Sequence, residues 1–149
     1  MREHQSELLP LATQILDSHL LALGQLNGWM QLWNASPRPA NKSMDWILAG
    51  KAAPTETLRA YLMSCESSGA IPGMASQTEI KAIVEAQGTR RDQVFLEIMQ
   101  LHLSSTAPVL GFVQEEAMLE PVRTFARKLH KEHERILEMI QAKQTKPEA

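Results

Sequence analysis

Hydrophobic residues recur every three or four positions in three long segments of the chain, which is the spacing of an amphipathic α-helix. The segments run from about 6 to 33, from about 90 to 116 and from about 121 to 143. Their apolar seams are, in chain order, Leu9, Ala12, Leu16, His19, Leu23, Leu26, Met30 and Trp33, then Phe95, Ile98, His102, Ser105, Val109 and Phe112, and finally Val122, Phe125, Leu129, Glu132, Ile136 and Met139. No segment alternates as a strand does, so the pattern predicts an all-α helical bundle.

Shorter helical segments are predicted between the long ones. A helical turn is expected near 44–48, and a helix over 54–66 begins with a proline, which suits a first turn. The next helix opens at a capping box, in which the Ser76 hydroxyl accepts an amide proton and Glu79 reaches back to the cap. Gly88 suits the left-handed position that ends such a helix. These short helices are expected to bridge the long ones.

Prolines and glycines indicate where the long helices begin, bend and approach their neighbours. Pro10 is compatible only with a first turn, so the regular part of the first helix is expected to start near it. Pro108 lies inside the second long helix and predicts a kink or break near Thr106. Gly24 and Gly28 each cost about 1 kcal/mol relative to alanine, which indicates the close approach of a neighbouring helix.

The composition favours one helical domain over 1–149. Among the 149 residues, 19 Leu, 17 Ala and 8 Met stand against 8 Ile and 5 Val, and the first three residue types favour helices whereas β-branched residues favour strands. A chain of this length makes one compact core. We expect order over about 6–143, an irregular stretch at 34–39 and a frayed tail at 144–149.

Charge and motif content exclude several classes of function. A formal net charge of −2 gives no basic field for nucleic acid or an anionic membrane. The apolar stretches are too short to cross a bilayer, and no signal peptide precedes the first helix, so the chain as written is expected to stay cytoplasmic unless an export signal was removed. Cys65 is the single cysteine, so no internal disulfide forms. No nucleophile motif or catalytic triad order is present, so we expect no enzymatic activity.

Each long helix carries one polar, ligand-capable residue on its apolar seam. These residues are His19, His102, and Glu132 with His133 beside it. Because an unpaired buried polar group costs about 1–3 kcal/mol, each of them needs a partner. Three interpretations stay open: the residues form a hydrogen-bonded layer inside the bundle, they meet around a metal ion, or they do not converge.

Methionine bears on which metal such a site would hold. Met99 lies one turn before His102 and therefore on the same side of its helix. Thioether and imidazole ligands together suit Cu(I), although methionine on a helical seam is also an ordinary core filler. Histidines at 130 and 133 are spaced to reach one ion, but the mixed charges around them are equally typical of a solvated helix face.

Four segments of the chain resemble one bacterial family. Residues 18–33 (SHLLALGQLNGWMQLW) resemble its S-Q-x-x-E-I-x-x-M-x-x-W-L-x-x-W pattern, and residues 71–76 (IPGMAS) resemble its M-P-G-M-A-T loop. Residues 92–102 (DQVFLEIMQLH) resemble a stretch that ends in M-x-x-H-H, and residues 132–139 resemble a second copy of Q-x-x-E-I-x-x-M. The family is the domain of unknown function 305 (DUF305), ferritin-like four-helix bundles that include a periplasmic copper-binding protein.

The resemblance implies an internal duplication of a helix pair and a set of residues close to metal. A shift of 113 residues aligns Ala12 with Phe125, Leu16 with Leu129, His19 with Glu132, Leu23 with Ile136 and Leu26 with Met139. By resemblance, Met99, His102, Met74 and Met139 are the metal-proximal groups, with His19 and Glu132 as substituted ones. The implied ligand is copper, and the implied location is periplasmic or secreted.

The sequence departs from the family pattern at several positions. Leu103 replaces the second histidine of M-x-x-H-H, Val109 replaces a downstream methionine, and Ile71 replaces the first methionine of the loop. The family's first helix, which carries another M-x-x-H-H motif, has no counterpart in the sequence. Either the sequence is truncated, or the bundle is completed by homodimerisation through an open apolar face.

Together these observations predict a non-enzymatic, copper-binding helical bundle with degenerate ligand motifs. Met99 and His102 are expected to bind the ion, together with His19, Glu132 or His133 from neighbouring helices. The alternative is a metal-free helical scaffold that acts through homodimerisation or a protein partner. Neither alternative involves nucleic acid or insertion into a membrane.

Overall fold

The computed structural model describes residues 6–36 and 44–145. These residues form five α-helices and one short 3₁₀ helix, with no strand among them, so the all-α prediction is confirmed. The helices are α1 (Leu9–Leu32), α2 (Glu56–Ser68), α3 (Gln77–Glu85), α4 (Gly88–Glu116) and α5 (Glu120–Gln144), and the 3₁₀ helix Asp45–Ala49 precedes α2. The predicted irregular stretch and the predicted tail fall partly on 37–43 and 146–149, which lie outside the described residues.

The chain divides into two compact units, Met1–Ser43 and Met44–Ala149. The first unit contains α1, and the second contains the 3₁₀ helix and the other four α-helices. That residues 1–149 form a single domain stays a prediction.

In the first unit, α1 starts where its proline requires and buries a face that the sequence did not indicate. Pro10 lies in the first turn, as predicted. The buried residues of α1 are Leu11 and Ile15, whereas predicted seam residues such as Leu16 and Leu23 are more than half exposed. Apolar residues surround most of this helix, so a spacing of three and four fits several faces and does not select the buried one.

In the second unit, α4 and α5 form a helical hairpin that contains most of the core. The two helices are joined by three residues and share more contacts than any other pair. The most deeply buried side chains of the unit are Ile47, Leu58, Leu103, Ile136 and Ile140. Helices α2 and α3 both pack against α4, so α4 is the central element of this unit.

The turn between α4 and α5 is held by one arginine. The Arg123 guanidinium donates to the carbonyl oxygens of Ala117 and Met118. Glu120 holds the same guanidinium through an ion pair of 2.7 Å. Arg123 therefore satisfies carbonyl groups that the end of α4 leaves without an intrahelical donor.

The buried seam of α5 lies one residue away from part of the predicted seam. Its buried residues are Ala126, His133, Ile136 and Ile140. The inward polar residue is therefore His133, which is 5% exposed, rather than Glu132. The predicted and observed seams share Ile136. Both the line of side chains through Glu132 and the neighbouring line through His133 are largely apolar, so helical spacing could not decide which of them is buried.

Among the boundary signals of the short helices, one is confirmed and two are wrong. The capping box forms, with Glu79 N donating to Ser76 Oγ at 3.2 Å and Ser76 N donating to Glu79 Oε2 at 2.7 Å. Helix α2 begins after Thr55, whose Oγ1 accepts from the amide of Leu58, so the preceding proline lies outside the helix. Gly88 opens α4 with φ +52° instead of ending α3, because α3 already ends at residue 85.

Pro108 does not divide α4, so of the two predicted alternatives, a kink or a break near Thr106, the break is wrong. The helix runs without interruption from residue 88 to residue 116 with this proline inside it. A single missing N–H donor costs one backbone hydrogen bond, and the packing of α4 along α5 outweighs that loss.

Candidate functional site

The loop that resembles M-P-G-M lies directly on α4. Its Gly73 has φ +80°, a conformation that favours glycine. A Cβ atom built at Gly73 would lie 2.7 Å from Ser105 Cβ and 3.1 Å from the carbonyl oxygen of Leu101. Glycine is therefore required at this position twice, once for its backbone conformation and once because α4 approaches so closely.

His102 ties this loop to α4 by a hydrogen bond across 29 residues of sequence. Its Nδ1 lies 3.1 Å from the carbonyl oxygen of Gly73. A carbonyl oxygen can only accept, so Nδ1 carries the proton and donates it. In the neutral ring Nε2 then bears the lone pair, and a histidine oriented through Nδ1–H to a backbone carbonyl is the usual form of a metal-ligating histidine.

Two methionines lie close in sequence to the two ends of this hydrogen bond, one on α4 and one in the loop. Met99 lies one turn earlier on α4 and is half-buried. Met74 follows Gly73 in the loop, has its amide bonded to the carbonyl of Ile71 at 3.1 Å, and exposes 61% of its surface. We call Gly73, Met74, Met99 and His102 the loop–α4 junction. It combines one imidazole, a borderline ligand, with two thioethers, which are soft ligands.

Clusters of histidine, cysteine and carboxylate side chains are not found in the described parts of the chain. Over 6–36 and 44–145, no group of three or more His, Cys, Asp or Glu side chains could hold a metal ion. The methionines of the junction are a different kind of ligand, because thioether sulfur suits a soft ion.

Glu132 and Met139 lie together on α5, but an arginine joins them. Arg135 binds Glu132 through two hydrogen bonds, at 2.7 Å from Nη2 and 3.1 Å from Nε, and its Nη1 lies 3.4 Å from the sulfur of Met139. The hydrogen bond with the Glu132 carboxylate raises the pKa of the Arg135 guanidinium. Because a fixed cation already occupies both residues, this part of α5 disfavours a second cation.

His133 is buried between α4 and α5 in a hydrogen-bonded arrangement. Its Nδ1 lies 2.8 Å from Thr106 Oγ1, and that hydroxyl lies 2.7 Å from the carbonyl oxygen of Leu103. A hydroxyl has one proton, so when Thr106 donates to Leu103, the His133 ring donates to Thr106. The printed partner of this seam histidine is thus a threonine of the neighbouring helix and not another of the predicted seam residues. Its neighbour His130 lies 3.9 Å from Glu134.

His19 lies in the first unit, on α1. Its Nδ1 is 2.8 Å from the carbonyl oxygen of Ile15, one turn earlier in the same helix. The ring is thus oriented back along α1, a hydrogen bond that satisfies a seam histidine without any metal.

The sequence did not single out three residues that organise these surroundings. In the sequence, Thr106 marks only an expected bend and Ser105 a seam position, and nothing distinguishes Arg135. Thr106 and Ser105 make contacts across 27 and 32 residues of sequence, and Arg135 binds a carboxylate through two of its own nitrogens, so helical spacing carries no signal for these contacts.

A cavity of about 380 Å³ in the second unit was also not predicted. It lies where the 3₁₀ helix meets the end of α4 and the start of α5, and its walls include Trp46, Phe112, Met118 and Val122. The rings of Trp46 and Phe112 meet edge to face with their centroids 5.9 Å apart. At its rim the carboxylate of Glu116 accepts from the amide of Lys51 at 2.8 Å.

The fold and the junction define a class of all-α proteins in which a glycine loop is docked on a long central helix. The chain belongs to the domain of unknown function family DUF305, whose model matches residues 1–144. It is similar to the crystal structure of a DUF305 protein from Streptomyces coelicolor described as a candidate secreted protein. That likeness has a TM-score of 0.69 at 19% identity, covers 93% of this chain and 74% of that one, and shows the shared fold.

No protein in the curated set matches this chain. No described helix combines the length and the hydrophobicity needed to span a membrane. The family resemblance seen in the sequence is confirmed.

Proposed function

We propose that this protein is a non-enzymatic binder of a soft metal ion, Cu(I), at the loop–α4 junction. The observation that supports the proposal is the hydrogen bond from His102 to Gly73, because it fixes the imidazole and brings the Met74 loop to the same turn of α4. Met99 comes from the preceding turn of that helix. Imidazole with thioether sulfur is a ligand set that suits Cu(I) and poorly suits Mg²⁺, Ca²⁺ or a di-iron centre.

The contacts of the other candidate residues assign them to different tasks. Glu132 and Met139 are joined through Arg135, and His133 is bonded to Thr106 in the helix interface. His19 is bonded within α1. The proposal therefore rests on Met74, Met99 and His102. A periplasmic or secreted location is part of the same proposal, supported by the description of the Streptomyces coelicolor neighbour.

The test is a titration of the reduced, tag-free protein with Cu(I) against a competing chelator. Met99→Leu keeps the volume and helix propensity of the side chain but removes the sulfur, and we expect it to weaken binding at least about tenfold. Met63→Leu is the matched control, because Met63 is an exposed methionine on α2 outside the junction. We expect the control to bind like the wild type.

A second variant separates ligation from loop docking. His102→Asn retains an amide that can donate to the Gly73 carbonyl but offers no imidazole nitrogen. The proposal predicts a folded protein of nearly unchanged stability whose Cu(I) affinity is reduced. Equal affinities for the wild type, Met99→Leu and His102→Asn would show that copper binds elsewhere. If the wild-type protein cannot take Cu(I) from the competing chelator, the proposed function is excluded.

A further inference from the structure

The cavity beside Trp46 is built entirely from the second unit. Its walls come from the 3₁₀ helix, the last turns of α4 and the first turn of α5. A volume of about 380 Å³ falls at the lower end of the range for small-molecule sites in proteins. Phe112, in its wall, lies about 15 Å along α4 from His102, and the cavity shares no residue with the loop–α4 junction. A ligand of this cavity would therefore be bound independently of a metal ion.

Two aromatic rings form the apolar wall of the cavity, Trp46 from the 3₁₀ helix and Phe112 from α4. Gly50 allows this arrangement, because a Cβ atom at Gly50 would lie 2.5 Å from Phe112 Cζ, closer than such atoms can pack. Met118 and Val122 add a thioether and a branched aliphatic side chain. Walls of this kind bind the apolar part of a small ligand, and an aromatic ring in particular.

Glu116 is the only charged residue among the described residues that line the cavity. Its Oε2 accepts from the backbone amides of Lys51 at 2.8 Å and Ala52 at 3.3 Å, which holds the carboxylate at the rim. No described side chain forms an ion pair with this carboxylate, and Arg123 of the adjoining turn is paired with Glu120 instead. Glu116 also ends α4, where the helix dipole adds negative potential. The rim therefore offers a negative charge that suits a cationic group.

We propose that this cavity binds a small arylalkylamine, a molecule with one aromatic ring joined by a short alkyl chain to an ammonium group. The ring packs against Trp46, Phe112 and Val122. The ammonium group donates to Oε1 of Glu116, since Oε2 already accepts from two amides. The aromatic wall also attracts the cation through the ring quadrupole. An anion of the same shape is disfavoured, because it brings a second negative charge to the rim.

A nuclear magnetic resonance titration of the full chain with phenethylamine, with no metal added, tests the proposal. The chain has three tryptophans, so the indole N–H signal of Trp46 is identified by comparison with Trp46→Phe. We expect that signal to shift and saturate, with a dissociation constant on the order of 1 mM or tighter for so small an amine. Phenylpropionate, an anion of nearly the same shape, is the matched control and should shift the signal much less. No saturable shift with phenethylamine, or equal shifts with both molecules, would overturn the proposal.

One variant tests the charge of the cavity. Glu116→Gln keeps an oxygen that can accept from the two amides but removes the negative charge, and it should weaken phenethylamine binding about tenfold. Glu115→Gln is the matched control, because Glu115 is exposed, lies outside the cavity and loses the same charge. Wild-type affinity in Glu116→Gln, or equal weakening in the two variants, would show that this carboxylate does not hold the amine.

A second variant tests the shape of the cavity. Ala49→Leu adds volume to a wall residue and should abolish binding, whereas Ala53→Leu, at an exposed position outside the cavity, should bind like the wild type. Thermal unfolding of each variant separates lost binding from lost structure, and the comparison of the two ligands on the wild type depends on no variant. Wild-type affinity in Ala49→Leu would show that the amine binds elsewhere and would overturn the proposal.

Discussion

Helices α1 and α5 occupy equivalent positions of the sequence repeat but have opposite surfaces. They contain 24 and 25 residues and align over their lengths by the shift of 113. Helix α5 carries ten formally charged residues and α1 carries one. In α5 the charges confine the apolar residues to two adjoining lines, one of which is buried, whereas α1 is apolar on most sides and leaves large leucines exposed. Charges around a helix, more than its apolar spacing, therefore decide how clearly a sequence specifies the buried face.

The aligned pair Leu23 and Ile136 gives the largest expected contrast. Ile136 is fully buried and Leu23 is 54% exposed. Ile136→Ala should lower the free energy of unfolding by about 2–5 kcal/mol, since it leaves a cavity, and Leu23→Ala should lower it by less than about 1 kcal/mol. Urea unfolding at a low protein concentration measures both. Equal losses would show that the two faces are equally buried and would remove the distinction between the helices.

Loss of the hydrogen bond between His133 and Thr106 gives the second-largest expected change in the free energy of unfolding. Position 133 aligns with Leu20, and here α5 buries a histidine where α1 exposes a leucine. Thr106→Val keeps the shape of the side chain but leaves the ring of His133 without this hydroxyl, so we expect a loss of about 1–3 kcal/mol. Ser104→Ala is the control, because the exposed Ser104 hydroxyl makes a similar bond to a carbonyl of its own helix. The control should change the free energy of unfolding by less than about 0.5 kcal/mol. A similar loss in both variants would contradict a specific role for the hydrogen bond between His133 and Thr106.

Substitution of the glycines in α1 is expected to change the free energy of unfolding less, and to raise it. Gly24→Ala and Gly28→Ala should each stabilise the monomer by about 1 kcal/mol, because alanine is the better helix former and the site is open. Thermal unfolding followed by far-UV circular dichroism at low concentration would measure this gain. Destabilisation of the monomer would show that another part of the chain already packs there.

Removal of the Glu120 charge at the start of α5 is expected to change stability least, and this change depends on pH. Hydrogen bonds from Arg123, Arg127 and Thr124 lower the pKa of Glu120 from 4.5 to about 2. A carboxyl group whose folded-state pKa is depressed stabilises the protein above its unfolded pKa, and that stabilisation is lost as the pH falls towards 2. Glu120→Gln should therefore be slightly less stable than the wild type at pH 7, and the difference should disappear by about pH 2. A difference that is the same at both pH values would exclude an ionic origin.

Much of the second unit follows from local sequence signals. The capping box at Ser76 and the helical periodicity of α4 and α5 each act over one or two turns, so they predict helix existence and several boundaries correctly. The boundary at Gly88 was wrong because glycine with positive φ serves at either end of a helix. The choice depends on where the preceding helix has already ended.

The surroundings of the candidate site could be predicted only in part. The family motifs placed the loop at 71–76 and His102 in the same site. In the structure the two are joined by the hydrogen bond between His102 and the Gly73 carbonyl. The exclusion of Glu132 from the core could not be predicted, because a shift of one residue along α5 exchanges Glu132 and His133 and both lines are largely apolar. The partner of His133 lies 27 residues away, and no helical periodicity encodes a pairing over that distance.

The hydrogen bond between Gly73 and His102 has a consequence for the order in which the second unit folds. The α4–α5 hairpin joins helices that are neighbours in sequence, so closing it costs little chain entropy and its contacts can form early. Docking of the glycine loop has to close 29 residues and requires α4 to be in place already. We therefore expect the hairpin to form in the transition state for folding and the loop to dock afterwards. Substitutions at Gly73 should then change mainly the unfolding rate, whereas substitutions at Ile136 should also slow folding.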